Sequence, residues 1–262
     1  MAFTLPLCSP YIVLLRHGQS GQDFIVAATF GTARNLFFVD LAANDPIRYS
    51  NSRSLERDLG WRGLCIEPNP KLLWRLAQRR TCTVVGAVVS DNEGVVVEFE
   101  VGKGRGIETD NPFSRILPSG ERAQHMDEVL KLTPATLRTI LRAHRAPSAI
   151  SYLSLDVESH EDAVLLPILE VEGTPEFTFH AITIEGPSTR LQAALYRRGY
   201  KPSLPRIGHF TDQLWLHNSI PGGLEGASAR AHAANKYWKT HIRFRSNDGT
   251  ALAIPKDMKS AA

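Results

Sequence analysis

Cysteine is scarce in this chain: Cys8, Cys65 and Cys82 are the only three in 262 residues. So odd and sparse a set excludes a disulfide-built scaffold. Two of the three sit in apolar, strand-like runs where cysteine behaves as a small hydrophobe, so a reducing, cytoplasmic setting is expected. Long hydrophobic runs are missing as well. None approaches the ~18 residues needed to span a bilayer, and no membrane association is expected. The apolar opening MAFTLPLCSPYIVLL lacks a basic lead and a clean small-residue cleavage site, and reads as a buried N-terminal segment rather than a signal sequence. An excess of one charge is also absent, with 30 Lys+Arg against 27 Asp+Glu. Residues 1–218 hold 23 basic and 24 acidic side chains and residues 219–262 hold 7 and 3, so the basic excess belongs to the C-terminal tail. What remains is an ordinary globular composition, 43% hydrophobic and 22% charged, on a chain long enough to bury a core without disulfides or metal.

From Leu36 onward, short β-branched runs alternate with helical stretches, the pattern of a doubly wound, mostly parallel sheet covered on both faces. The first strand is read at Leu36–Leu41, followed by a helix through Ser54–Leu59 that Gly60 stops. A second strand, Leu64–Glu67, leads through Pro68-Asn69-Pro70 into a helix over Lys71–Arg80, and a third strand spans Thr83–Val89. Asp91-Asn92-Glu93-Gly94 reads as a turn before a returning strand, Val95–Val101. Gly102–Lys131 is polar and aperiodic and is read as a substrate-facing loop. Thr133 is expected to cap a helix with Pro134 at its first position. Further units follow as a strand at Ile150–Asp156, a helix at Ser159–Leu169 that Pro167 should end or kink, a strand at Phe179–Glu185 and a helix at Thr189–Arg198. Strands around Tyr200 and Gln213–Leu216 close as an antiparallel hairpin, and the Gly/Ala-rich tail after Ser219 reads as an appendage.

In an open parallel sheet, ligands bind at the carboxyl ends of the strands near the topological switch point. Four strands end in an acid: Asp40, Glu67, Asp156 and Glu185. Glu67 follows Asp40 by 27 residues, the spacing at which a ribose-binding carboxylate is expected. Any one of these acids alone could be a solvated strand end; four in succession point to a site. The first loop, Asp40-Leu41-Ala42-Ala43-Asn44-Asp45-Pro46, contains no glycine. A pyrophosphate cradle needs glycine so that backbone N–H groups can close on the anion, so NAD(P) and P-loop chemistry are not expected. A nucleoside without phosphates and with a charged amino-acid end, such as S-adenosylmethionine, suits this loop.

Several segments together resemble the FkbM-type methyltransferases. They are Phe38–Asp45, Ser50-Asn51-Ser52 with Glu56, Leu59–Pro70, Ala87–Gly94, Ile150–Glu161 and Ile182–Glu185, preceded by a lead-in at His17–Asp23. The resemblance runs from about His17 to about Asn218 and implies a Rossmann-like class I methyltransferase; with the βα pattern and the charge distribution, the chain is read as a packed lead-in at 1–35, a methyltransferase domain at 36–218 and a basic tail at 219–262. It further implies methyl transfer from S-adenosylmethionine to an oxygen, on a sugar or small natural-product hydroxyl. By position, Asp40 and the turn with Ala42, Asn44 and Asp45 would face the methionine end, Glu67 the ribose, and Ala87 and Asp91 the adenine, with Asn51 and Pro68 also binding the cofactor. Asp156 would touch cofactor and acceptor, and Asp156, Glu158 and His160 lie where acceptor and methyl meet. His160 suits proton removal, having an ordinary pKa near 6.5, while Asp156, Glu158 and Glu185 could instead hold a divalent cation such as Mg²⁺. The family's usual glycines at 42, 46 and 159 are here Ala42, Pro46 and Ser159, replacements that would be strained if the backbone takes a positive φ.

Two other readings remain open at this level. Ile12–Ser20, with Arg16-His17-Gly18, resembles the strand and Arg-His-Gly signature of the histidine phosphatases. A non-catalytic module that keeps the fold would also account for the replaced glycines. Nucleic-acid binding through Tyr237, Trp238 and Phe244 among basic residues is not expected, since the tail's net charge is only +4. The partner expected is a small-molecule or glycan acceptor.

Overall fold

The computed structural model describes residues 17–18, 20–102, 114–118, 120–121, 126–208 and 210–241. In chain order the elements are α1 (Gln22–Thr29), β1 (Phe37–Leu41), α2 (Arg53–Leu59), β2 (Arg62–Ile66), α3 (Pro70–Arg79) and β3 (Thr83–Val85). Then come β4 (Val97–Gly102), β5 (Arg115–Ile116), β6 (Met126–Leu132), α4 (Leu137–Ala143), β7 (Ala149–Leu155), α5 (Glu161–Leu169) and β8 (Thr178–Ile184). The chain closes with α6 (Thr189–Arg197), β9 (Tyr200–Leu204), β10 (Gln213–His217) and α7 (Leu224–His241).

Seven strands form one sheet in the order β3-β2-β1-β7-β8-β10-β9. The five from β3 to β8 are parallel, and β10 runs antiparallel to both neighbours, which is the doubly wound sheet with a closing hairpin that the residue pattern calls for. Successive side chains on a strand face opposite ways, so each strand feeds two cores. Phe38, Cys65, Tyr152 and Ala181 pack on one face with α1, α2 and α7, while Val39, Ile66, Leu153 and Ile182 pack on the other with α4, α5 and α6. From β1 the chain steps outward to β2 and β3 and then returns to β7 on β1's other side. That reversal makes the carboxyl ends of β1 and β7 the switch point where such sheets bind ligands. Among the described residues no helix is long and apolar enough to cross a membrane.

The structure corrects several local expectations. β3 ends at Val85, because Val88 and Val89 leave the large sheet: Val88 joins the core of a second, three-stranded sheet ordered β5-β4-β6, and Val89 bridges Ala135. The stretch read as a loop from Gly102 to Lys131 thus contributes two of those strands, and β6 pairs antiparallel with β4. Its residues 103–113, 119 and 122–125 lie outside the described residues. Thr136, not Thr133, caps α4, its hydroxyl accepting from Thr139 N–H at 3.1 Å. Pro167 does not end α5, which runs on to Leu169. The tail after Ser219 is not wholly an appendage: α7 packs along α1, with Trp238 6.0 Å from Phe24 and Arg230 donating to Thr29 O at 2.8 and 3.1 Å. The patterned segment beyond His241 lies outside the described residues, as does the apolar opening.

Candidate functional site

A cavity of about 580 Å³ opens at the carboxyl ends of β1, β2 and β7. Its floor comes from strand ends and the loops just after them. Phe99, Arg115 and Ile116 of the small sheet form a wall, and Tyr49 and Phe210 stand at the edge, 65% and 38% exposed. A volume in this range suits a ligand of nucleoside size.

Glu67 follows β2 directly and is buried. Asn44 N–H donates to its Oε2 and Asn69 N–H to its Oε1, both at 2.9 Å. Each carboxylate oxygen therefore keeps a free lone pair, and the two together present a pair of acceptors to the cavity. Burial pushes the Glu67 pKa up to about 7 against those two hydrogen bonds, with the charge of Asp40 adding to the rise. The turn that delivers the Asn44 N–H is tight: Ala42 and Asn44 both adopt left-handed backbone, φ 58° and 51°. Asparagine accepts that conformation readily; alanine does so at a cost. Asn69 also caps α3, accepting from Lys71 N–H at 3.0 Å, with Pro70 at the first helical position.

Asp40, at the switch point on β1, is buried beside Ser154, its register partner on β7. It accepts from Ser52 Oγ, and Ser52 in turn accepts from Arg80 Nη2 at 2.9 Å. Arg80 is buried and pairs with Glu56 at 2.5 Å while also reaching Ser50 Oγ at 3.0 Å. Burial raises the Asp40 pKa, opposed by the Ser52 hydrogen bond and by the Arg80 charge. Asn51 donates to Ser154 Oγ at 3.0 Å and leaves its Oδ1 buried with no partner.

Beyond β7 the chain turns through two successive left-handed residues, Glu158 (φ 54°) and Ser159 (φ 72°), into α5. This turn aims Asp156, Glu158 and His160 into the cavity, where Glu185 from the end of β8 joins them. Asp156 Oδ1 is buried without a hydrogen bond. Burial first, then the charges of Glu185, Asp212 and Glu158, push the Asp156 pKa up to about 8. Asp156, Glu158 and Glu185 are the three acids that the sequence offered as candidate cation ligands, as an alternative to a His160 base. Among the described residues, however, no three His, Cys, Asp or Glu side chains are arranged to hold a metal ion.

His160 Nε2 lies 3.0 Å from Ser90 Oγ, and Ser90 donates its single hydroxyl proton to Asp91 Oδ1 at 3.1 Å. With Ser90 donating to Asp91, the arrangement that satisfies both contacts is the Nε2–H tautomer donating to Ser90, with Nδ1 as the unprotonated nitrogen. Burial lowers the His160 pKa, partly offset by the Asp91 charge, so the ring is neutral near pH 7.

Of the residues expected from sequence, Asp40, Ala42, Asn44 and Asn51 line the cavity, as do Glu67, Pro68, Ala87, Asp156, Glu158, His160 and Glu185. Two do not. Asp45 is spent on its own turn, accepting from Ile47 and Arg48 N–H at 2.8 Å and pairing with Arg75 at 2.7 Å. Asp91 lies behind Ser90. Sequence reasoning missed Asp212, Ser154, Tyr49, Phe210 and the wall from the small sheet. Asp212 precedes an antiparallel strand, so its position at the start of β10 falls at the same sheet end as the carboxyl ends of the parallel strands. That rule of orientation was the available signal. His17 of the Arg-His-Gly string is not part of the cavity lining; its ring lies 3.4 Å from Arg57 and its N–H donates to Asp23. Arg16 lies outside the described residues.

Residues 40–200 match the sequence model of the methyltransferase FkbM domain. No curated protein matches the chain. Among solved structures it is similar to precorrin-6Y C5,15-methyltransferase from Geobacter metallireducens, at 11% identity and TM-score 0.38 over 77% of this chain and 88% of that one. It is also similar to human methyltransferase-like protein 13 in complex with SAH, at 13% identity and TM-score 0.34 over 95% of both chains. Both likenesses are low in identity and in superposition, and the family match carries the assignment.

Proposed function

The chain belongs to the FkbM methyltransferase family, and on that premise we propose that it methylates a hydroxyl of a small molecule or glycan with S-adenosylmethionine as the donor. The observation that carries the reading is Glu67: a buried carboxylate at the end of β2, both oxygens steadied by backbone N–H groups and each with a lone pair to spare. Vicinal ribose hydroxyls need such a pair of acceptors. Asp40, Asn44 and Asn51 would hold the amino-acid end, and Pro68 and Ala87 would flank the base. The cofactor supplies an electrophilic methyl group when bound. An alkylated oxygen must lose its proton, and His160 Nδ1, left free by the Ser90–Asp91 relay, is the group to take it. Asp156 carries an unpartnered oxygen and a raised pKa, and is suited to orienting the acceptor by hydrogen bonding.

Isothermal titration with S-adenosylmethionine and S-adenosylhomocysteine tests the reading. Saturable binding is expected in the wild type, weakened at least tenfold in Glu67→Ala, which removes both of its hydrogen bonds to the ribose. No binding at millimolar ligand would overturn the enzyme reading in favour of a non-catalytic module. Once an acceptor is in hand, assays with Mg²⁺ and with EDTA decide whether a cation assists. Ser90→Ala should then lower kcat roughly tenfold with KM unchanged, because it frees the His160 tautomer without touching either ligand.

A further inference from the structure

Cys65 and Cys82 are too close to be two independent hydrophobes. Cys65 lies on β2 in register with Val84 of β3, and Cys82, two residues before Val84, faces the same side of the sheet. Both thiols are free, and their sulfurs stand 2.6 Å apart. Cys65 is fully buried and Cys82 only half so. The Thr81–Cys82 turn has little freedom to move away. Glu56 Oε1 accepts from the N–H groups of Thr81 and Cys82 and from the Thr81 hydroxyl, and Glu56 is itself held by the buried Arg80.

We propose that Cys65 and Cys82 form a reversible disulfide site, oxidised by a low-molecular-weight disulfide such as oxidised glutathione. Cys82, the less buried of the two, loses its proton and attacks one sulfur of the reagent. The reagent's S–S bond breaks, a mixed disulfide forms on Cys82, and the departing thiolate takes up a proton. Cys65, whose thiol pKa burial pushes up, acts second. It gives up its proton, attacks Cys82 Sγ and displaces the second reagent thiolate, which is protonated in turn. Two thiols are oxidised, and two electrons and two protons leave with two molecules of reduced reagent. The ring so closed holds Glu67, Pro68 and all of α3, so oxidation would brace the loop beneath the cavity.

The test uses the full chain carrying Cys8→Ser, equilibrated under native conditions with oxidised glutathione and then with dithiothreitol. The expected result is loss of two hydrogens in the intact mass, a cross-linked Cys65–Cys82 peptide on non-reducing mapping, full reversal by dithiothreitol, and a Tm raised by about 5 °C in the oxidised form. Two thiols that remain open to alkylation after glutathione treatment, or a glutathione adduct that persists on Cys82, would overturn the proposal. The further variant Cys82→Ser, altered at the half-exposed position and so expected to fold, should leave Cys65 unmodified. A glutathione adduct on Cys65 in that variant would overturn the assignment of Cys82 as the entry point.

Discussion

Ala42 and Ser159 hold left-handed backbone, φ 58° and 72°, with side chains that clash with that conformation. The family resemblance marks both positions as usual glycines, and the structure places both in the backbone region where a side chain is strained. Ala42→Gly and Ser159→Gly should each stabilise the fold by about 1 kcal/mol, read from urea denaturation midpoints. Pro46 is different, since it is not among the left-handed residues, and the same reasoning predicts no gain from Pro46→Gly. The strain at Ala42 serves a purpose, for the turn it shapes delivers the Asn44 N–H to Glu67. At this scale the site was largely legible: an acid closing a strand is a local signal. Asp45 and Asp91 fall outside the cavity lining, which the sequence could not show because only hydrogen-bond partners reveal which way a carboxylate in a turn points.

Between elements, α7 shows how a helical stripe can hide in a composition. Ala227, Ala231, Ala234 and Trp238 recur at helical spacing, and all four are buried against the face that α1 completes. Small residues there let α7 approach closely, and at Gly21, the residue capping α1, an added Cβ would come within 2.4 Å of the Trp238 ring. Trp238→Ala should cost about 3 kcal/mol by chemical denaturation, as expected for removing a buried indole. A loss under 1 kcal/mol would mean that α7 is only loosely docked. The Gly/Ala richness of the tail suggested an appendage because alanine carries little hydrophobic signal; burial came from the partner helix. β6 escaped notice for a related reason. Met126-Asp-Glu-Val-Leu-Lys-Leu has the polarity of a loop until β4 supplies its hydrogen bonds from some 30 residues away.

At the scale of the whole molecule, the cavity gathers buried and half-buried acids that resist ionisation. Glu67 is raised from 4.5 to about 7 and Asp156 from 3.8 to about 8. A carboxyl group whose folded pKa is raised stabilises the fold fully below its unfolded pKa and loses that contribution as pH climbs through the folded value. For Glu67 the loss is about 3 kcal/mol once ionisation is complete. His17, His160, His180 and His217, whose pKa values burial lowers, act in the opposite sense, but only below about 6.5. Between pH 6.5 and 8.5 the acids alone set the slope, so the Tm of the ligand-free protein should fall across that range, and fall less in Asp156→Asn. A profile that rises with pH, or one that the variant leaves unchanged, would contradict the account of the cavity as a crowd of buried carboxyl groups. What the sequence by itself determined was the order of the βα units, the family, and the meeting of strand-end acids at one edge of the sheet. Alternation, caps and residue type are local properties, and a parallel sheet must bring its carboxyl ends together. Only the tertiary structure decided that Asp212 enters from an antiparallel strand, that α7 seals α1, that a second sheet walls the cavity and that Cys65 meets Cys82. Each of those depends on contacts between segments that carry no mark of one another in the chain.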